Sequence, residues 1–205
     1  MNKVLVVTYS NTGTSLRLAR RLCALKGWPL GEVDDAAPRH GVAGAWRCVL
    51  DSLLRRTPGI DYAGALPSEF DTVVLVAPIW LYRLAGPMRS FVTRYRSELH
   101  DVAVISVTEQ PGPHDAPDEI TRITGRAPLL HTDFTGQDAD DGRCGLRLLA
   151  FAHALVEAKD HVEPTRLVLA PTADQLIAGG LSRPQFPLLP DQDLRSWGSR
   201  KVPIG

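Results

Sequence analysis

The stretch Val4-Leu5-Val6-Val7-Thr8-Tyr9-Ser10-Asn11-Thr12-Gly13-Thr14-Ser15 passes without a break from an apolar run into a cluster of hydroxyls. Its first four residues do not alternate apolar with polar, which fits a strand buried on both faces, as in a parallel sheet covered by helices. Behind Ser15 the period changes, and Leu16, Ala19, Leu22 and Cys23 recur at helical spacing. The turn between strand and helix therefore sits at a helix N-terminus, where unpaired N–H groups and the positive end of a dipole meet. Ser10, Asn11, Thr12, Thr14 and Ser15 add hydroxyls and an amide there, and Gly13 lets the backbone approach closely, so the loop suits a phosphate monoester. The plainer alternative is a βα turn in which Thr14 or Ser15 only caps the helix. Neither a GxGxxG dinucleotide fingerprint nor a GxxxxGK[ST] triphosphate loop is present.

The same strand signature returns at Val73-Val74-Leu75-Val76 and Val102-Ala103-Val104-Ile105. Helical spacing follows at Trp46, Val49, Leu50 and Leu53, at Met88, Phe91, Val92 and Tyr95 behind Pro87, and at Leu148, Leu149, Ala152, Leu155 and Val156, ending near His161. Weaker segments predict strands over 29–33 and 128–133 and a short helix over 117–125. The resulting βαβαβαβαβα order argues an α/β fold with a mainly parallel, doubly wound sheet. In such folds the ligand lies beyond the carboxyl ends of the strands, so function is sought in the loops after the three strong runs.

Composition narrows the classes. A length of 205 residues, 44% hydrophobic and 22% charged, is that of one globular domain. Lys plus Arg balance Asp plus Glu at 23 each, which removes the simplest argument for a nucleic-acid or anionic-membrane partner. Cys23, Cys48 and Cys144 are odd in number and far apart, against a disulfide framework, and no CxxC or Cys/His cluster points to a metal. Cys144 with Arg147 lacks the spacing of a phosphatase loop, and His153 and His161 are too far apart for one helix face to chelate with both. No apolar stretch is long enough for a signal h-region or a membrane span, so the expectation is a cytoplasmic protein.

After the second strong run comes Pro78-Ile79-Trp80-Leu81-Tyr82, two aromatics beside a rigid proline that suit a planar ring, or else ordinary core packing. Here two motifs together resemble a family. Ser10-x-Thr12-Gly13-x-Ser15 after a first strand is similar to the phosphate loop of the flavodoxin-like FMN proteins. The segment 74–80, running on to Gly86-Pro87-Met88-Arg89-Ser90-Phe91, resembles the flavin-contacting loop and helix of that family's NAD(P)H-dependent oxidoreductase branch. The resemblance implies a five-stranded parallel sheet in the order 2-1-3-4-5 flanked by helices. It implies FMN as cofactor, its phosphate on Ser10, Asn11, Thr12, Gly13, Thr14 and Ser15, and its ring lined by Pro78, Ile79, Trp80, Leu81 and Tyr82. The family's third contact loop falls at 108–114, where Thr108 and Glu109 would meet the flavin. Pro111 and Pro113 depart from the family's small, Gly-rich pattern and remove N–H donors.

By that resemblance the chain is an FMN-dependent oxidoreductase passing hydride from NAD(P)H to a quinone-like or other small acceptor, and relatives often pair as homodimers. The alternatives are a flavodoxin-type electron carrier and a flavodoxin-like interaction module that has lost FMN. Carriers are generally strongly acidic. This chain is neutral and carries Arg83, Arg89, Arg94 and Arg96 beside the second loop, which favours the enzyme. Arg83 could steer an anionic substrate, or be a solvated arginine. His114 reads as a solvated loop histidine, with a proton donor as the sharper alternative. The domain is expected over 1–161. Residues 162–205 hold six of the 16 prolines and read as an extended C-terminal tail that packs on the domain or on a second subunit.

Overall fold

The computed structural model describes residues 3–36, 57–109, 112–140 and 144–169, with side chains up to Lys159. The expected helix around Trp46 to Leu53 and the tail from 170 onward lie outside these residues. In chain order the elements are β1 (Val4–Tyr9), α1 (Thr14–Lys26), β2 (Leu30–Asp35), β3 (Ile60–Ala63), β4 (Thr72–Trp80), β5 (Arg83–Leu84) and α2 (Gly86–Arg94). They continue with β6 (Asp101–Thr108), α3 (Ala116–Thr124), β7 (Leu130–Thr135), α4 (Gly136–Asp140) and α5 (Cys144–Leu169).

The sheet runs β3-β2-β1-β4-β6-β7, with β5 added to the end of β4. Pairings β1–β2, β1–β4, β4–β6 and β6–β7 are parallel, so the five parallel strands taken alone follow the expected 2-1-3-4-5 order. Two short antiparallel strands were not expected. β3 pairs with β2 at one edge, and β5 folds back on Ile79 and Trp80. At four and two residues, they are too short for a periodicity to show.

Unbroken apolar runs make sense once the two faces of the sheet are followed. Val4 and Val6 of β1 with Val74 and Val76 of β4 face α1 and α5, where Leu18, Leu22, Leu148, Phe151 and Leu155 cover them. Leu5 and Val7 with Val73 and Leu75 face the other way, under Met88, Phe91 and Val92 of α2 and Ile120 of α3. Neither face is left to water, so polar alternation has no place in these strands. Within α1 the buried apolar residues are Leu18, Ala19 and Leu22, while Leu16 and Cys23 of the expected stripe are only half-buried. Gly27 at φ 68° ends that helix, its N–H bonding the Cys23 carbonyl at 2.8 Å.

Two polar devices clamp the layers. Arg89 of α2, 3% exposed, donates through Nε and Nη2 to the Glu119 carboxylate of α3 and through Nη2 to the Leu84 carbonyl at 2.8 Å. Arg89 is thus not part of a solvated basic flank, as the sequence suggested; Arg94 and Arg96 are exposed. On the opposite edge, Arg147 of α5 holds its guanidinium 4.3 Å from the Phe134 ring centre, donates to the Asp133 carbonyl at 2.8 Å and pairs with Asp138 at 2.7 Å.

α5 runs to Leu169, past the end expected near His161. Residues 162–169, expected as the start of an extended tail, are helical, because one proline, Pro164, removes a single hydrogen bond and can bend a helix without ending it. Cys144 is buried and free, Cys23 is half-buried and free, and Cys48 lies outside the described residues. Among the described residues no helix is long and apolar enough to cross a membrane.

Candidate functional site

β1, β4 and β6 lie side by side and parallel, so the segments that leave their carboxyl ends meet. They enclose a cleft of about 400 Å³. One wall is Ser10, Asn11, Thr12, Thr14 and Ser15; a second is Pro78, Ile79 and Trp80; a third is Val107, Thr108 and Glu109. Gly136 and Gln137, at the start of α4, complete it. Ten of the thirteen residues singled out from the sequence are in this lining; Gly13, Leu81 and Tyr82 are not. Val107, Gly136 and Gln137 were missed. The last two follow the fifth parallel strand, and the carboxyl-end rule that led to the other loops applies equally to that one.

The first wall is a helix N-terminus without a side-chain cap. Gly13 is the N-cap, at φ 89°, and its carbonyl accepts the Arg17 N–H at 3.0 Å. Neither Thr14 nor Ser15 serves as the cap, so the first-turn N–H groups and the surrounding hydroxyls face the cleft without a cap from this chain. No acidic residue sits in that turn to compete with an anion. Gly13 acts on the backbone: at that φ a side chain would be strained.

The second wall is not a loop, as expected, but the end of β4 turning into a hairpin. Trp80 pairs with Arg83 and Ile79 with Leu84, and the turn residues Leu81 and Tyr82 have φ of 49° and 62°. This turn lifts Leu81 and Tyr82 out of the cleft, 51% and 72% exposed, which is why they do not line it. Trp80 meets Tyr9 edge-on at 5.7 Å, and the Tyr9 hydroxyl donates to Asp35 at 2.8 Å, so the indole is held from beneath. The Asp115 N–H bonds the Tyr82 carbonyl at 2.9 Å, tying the hairpin to the segment before α3.

On the third wall, the Thr108 hydroxyl is buried and meets no hydrogen-bond partner among the described residues. Gln110 and Pro111 lie outside the described residues. His114 is not the solvated histidine expected. Its side chain is 2% exposed, and its Nε2 lies 2.8 Å from Asp133 Oδ1, while Nδ1 accepts the Ala116 N–H at 3.4 Å. His131 brings its own Nε2 to the same carboxylate oxygen at 2.9 Å and to Ser106 Oγ at 3.1 Å. The rings of His114 and His131 stand perpendicular, 5.1 Å apart. Burial pushes the His131 imidazole below its ordinary value, against the pull of Asp133. The cluster sits on the face of β6 and β7 that α3 covers. The sequence held one signal of it, the His131-x-Asp133 spacing that puts both side chains on one face of a strand.

No family model matches the chain, and no curated protein is similar to it in sequence. Among solved structures it is similar to a flavoprotein from Lactobacillus acidophilus NCFM in complex with FMN, at 16% identity and a TM-score of 0.57, over 65% of this chain and 93% of that one. A protein from Bacteroides eggerthii DSM 20697 assigned as a flavoprotein is 18% identical, with a TM-score of 0.58, over 74% and 99% of the two chains. Another from Bacteroides uniformis ATCC 8492 is 18% identical, with a TM-score of 0.56, over 66% and 91%. Together with the strand order, these likenesses show a flavodoxin-like fold. The cleft fits FMN: an open helix N-terminus for a phosphate, an indole beside an apolar strand end for a ring, and the unpartnered Thr108 hydroxyl for a polar ring edge.

Proposed function

We propose that this chain is an FMN-dependent oxidoreductase that takes hydride from NAD(P)H and passes it to a quinone-like or other small acceptor. The observation that carries the reading is the convergence of three separate segments on one cleft, with an uncapped helix N-terminus at one end and Trp80 at another. FMN, when bound, supplies the redox chemistry. Ser10, Thr12, Thr14 and Ser15 hold the phosphate through hydroxyls and the first N–H groups of α1. Pro78, Ile79 and Trp80 orient the ring and keep water from its flank, and Thr108 and Glu109 meet its polar edge. Hydride chemistry at a flavin asks no side chain to ionise, so positioning is the protein's main contribution. A second reading, a carrier that docks on a protein partner, draws on the exposed Leu81 and Tyr82 at the tip of the hairpin.

The purified full-length protein, supplied with FMN, should show flavin absorbance that bleaches when NADH or NADPH is added without oxygen. Bleaching only after a reductase is supplied would move the assignment to the carrier, and a protein that ignores FMN would sink both. Replacing Ser10 and Thr12 by Ala should loosen FMN several-fold or more, at roughly 1 kcal/mol per lost hydrogen bond.

A further inference from the structure

The three side chains His114, His131 and Asp133 come from two segments, and nothing in the proposed flavin chemistry uses them. Their ligand atoms, Nε2, Nε2 and Oδ1, all lie within 4.8 Å of one another. Two imidazoles aim the same nitrogen at one carboxylate oxygen, at 2.8 and 2.9 Å, and Ser106 Oγ stands 3.1 Å from one of them. In a four-coordinate zinc site, with bonds of about 2.0–2.1 Å, neighbouring ligand atoms are roughly 3.3 Å apart. The two N···O separations fall short of that by about half an ångström, and all three atoms lie within 4.8 Å of one another, so a small adjustment of the half-buried Asp133 and His131 would admit an ion. Asp133 and His131, 41% and 29% exposed, leave a way in, whereas His114 is fixed in the interior.

We propose that His114, His131 and Asp133 form a binding site for a divalent zinc-like cation, with Ser106 Oγ or water in the fourth position. Two nitrogens and one carboxylate favour a borderline transition-metal ion over calcium or magnesium, which take oxygen ligands. On binding, each imidazole keeps one proton. The Nε2–H proton of the free form is exchanged for one on Nδ1, and the weak Ala116 N–H contact to His114 Nδ1 is given up. The backbone already provides the frame, because Ser106 and Asp133 are direct partners in the β6–β7 ladder. The ion would then fasten the segment before α3 to the edge strand. That segment also holds the Tyr82 carbonyl through Asp115, so the staple reaches the hairpin beside Trp80. The site stands independently of the flavin assignment.

The full-length protein, stripped with chelator and dialysed against micromolar zinc, should retain one zinc per chain, and zinc should raise its melting temperature. His131→Ala and Asp133→Asn, both at half-buried positions, should weaken zinc by about tenfold or more and abolish the thermal shift. Their far-UV spectra and melting temperatures in chelator report whether they still fold. His153→Ala, on an exposed face of α5, should bind as the parent does. A parent protein that holds no zinc overturns the proposal, and so does undiminished binding by His131→Ala. In either case the three residues are a hydrogen-bonded cluster only.

Discussion

Arg89 shows how much can depend on one side chain. It is buried against a buried carboxylate, and its guanidinium also serves a main-chain carbonyl. Arg89→Met should cost about 3–5 kcal/mol in urea unfolding, because Glu119 would be left buried and unpaired. Adding Glu119→Leu should recover much of that loss, and a single-variant cost below about 1 kcal/mol would contradict the account. Asp138 makes a different contribution. The Thr135 N–H, at 2.7 Å, with the Thr135 hydroxyl and Arg147, holds its carboxyl below the ordinary aspartate range. A depressed folded value means that the stabilisation is fully present above the unfolded value and disappears as pH falls through the folded one. Asp138→Asn should therefore lose stability at neutral pH and lose less than the parent as the pH falls below about 4, as urea midpoints across that range would show. His114 marks the limit of reading residues singly: its side-chain partner, Asp133, is nineteen positions away and on another element.

Among elements, the doubly buried strands were legible because burial on both faces writes an unbroken apolar run, α1, α3 and α5 because each buries one stripe, and α2 through the proline at its first turn and the apolar residues behind it. β3 was hidden by its length. The β4–β5 hairpin was hidden by chemistry, since its turn uses Leu81 and Tyr82 where a tight turn with both φ positive normally selects Asn-Gly. Each non-glycine residue there costs of order 1 kcal/mol or more. Replacing the pair with Asn-Gly should raise thermal stability by about 1–2 kcal/mol. If the melting temperature falls instead, the turn geometry or the role of the two exposed side chains is wrongly described. Strain kept at the border of a cleft fits a turn selected for what it touches rather than for how well it folds.

At the scale of the whole molecule, strand order and site location were legible together, because a doubly wound sheet gathers the carboxyl ends of its central strands. The wall formed by Ser10 to Ser15 was readable as the turn between a buried strand and a helix. The His114–His131–Asp133 cluster was not, since it exists only through the register that sets Ser106 beside Asp133. One contact on the outer strand bears on how copies of this protein treat each other. Their net charge is zero, so electrostatic repulsion does little to keep them apart in solution. The last strand of a sheet is the natural place for a second chain to add its own. There the Arg147 guanidinium already occupies the Asp133 carbonyl and covers the Phe134 ring, so an arriving strand meets a charged plug that it would have to displace. Among the described residues, Arg147 is thus a local guard at the β7 edge, where net charge offers none.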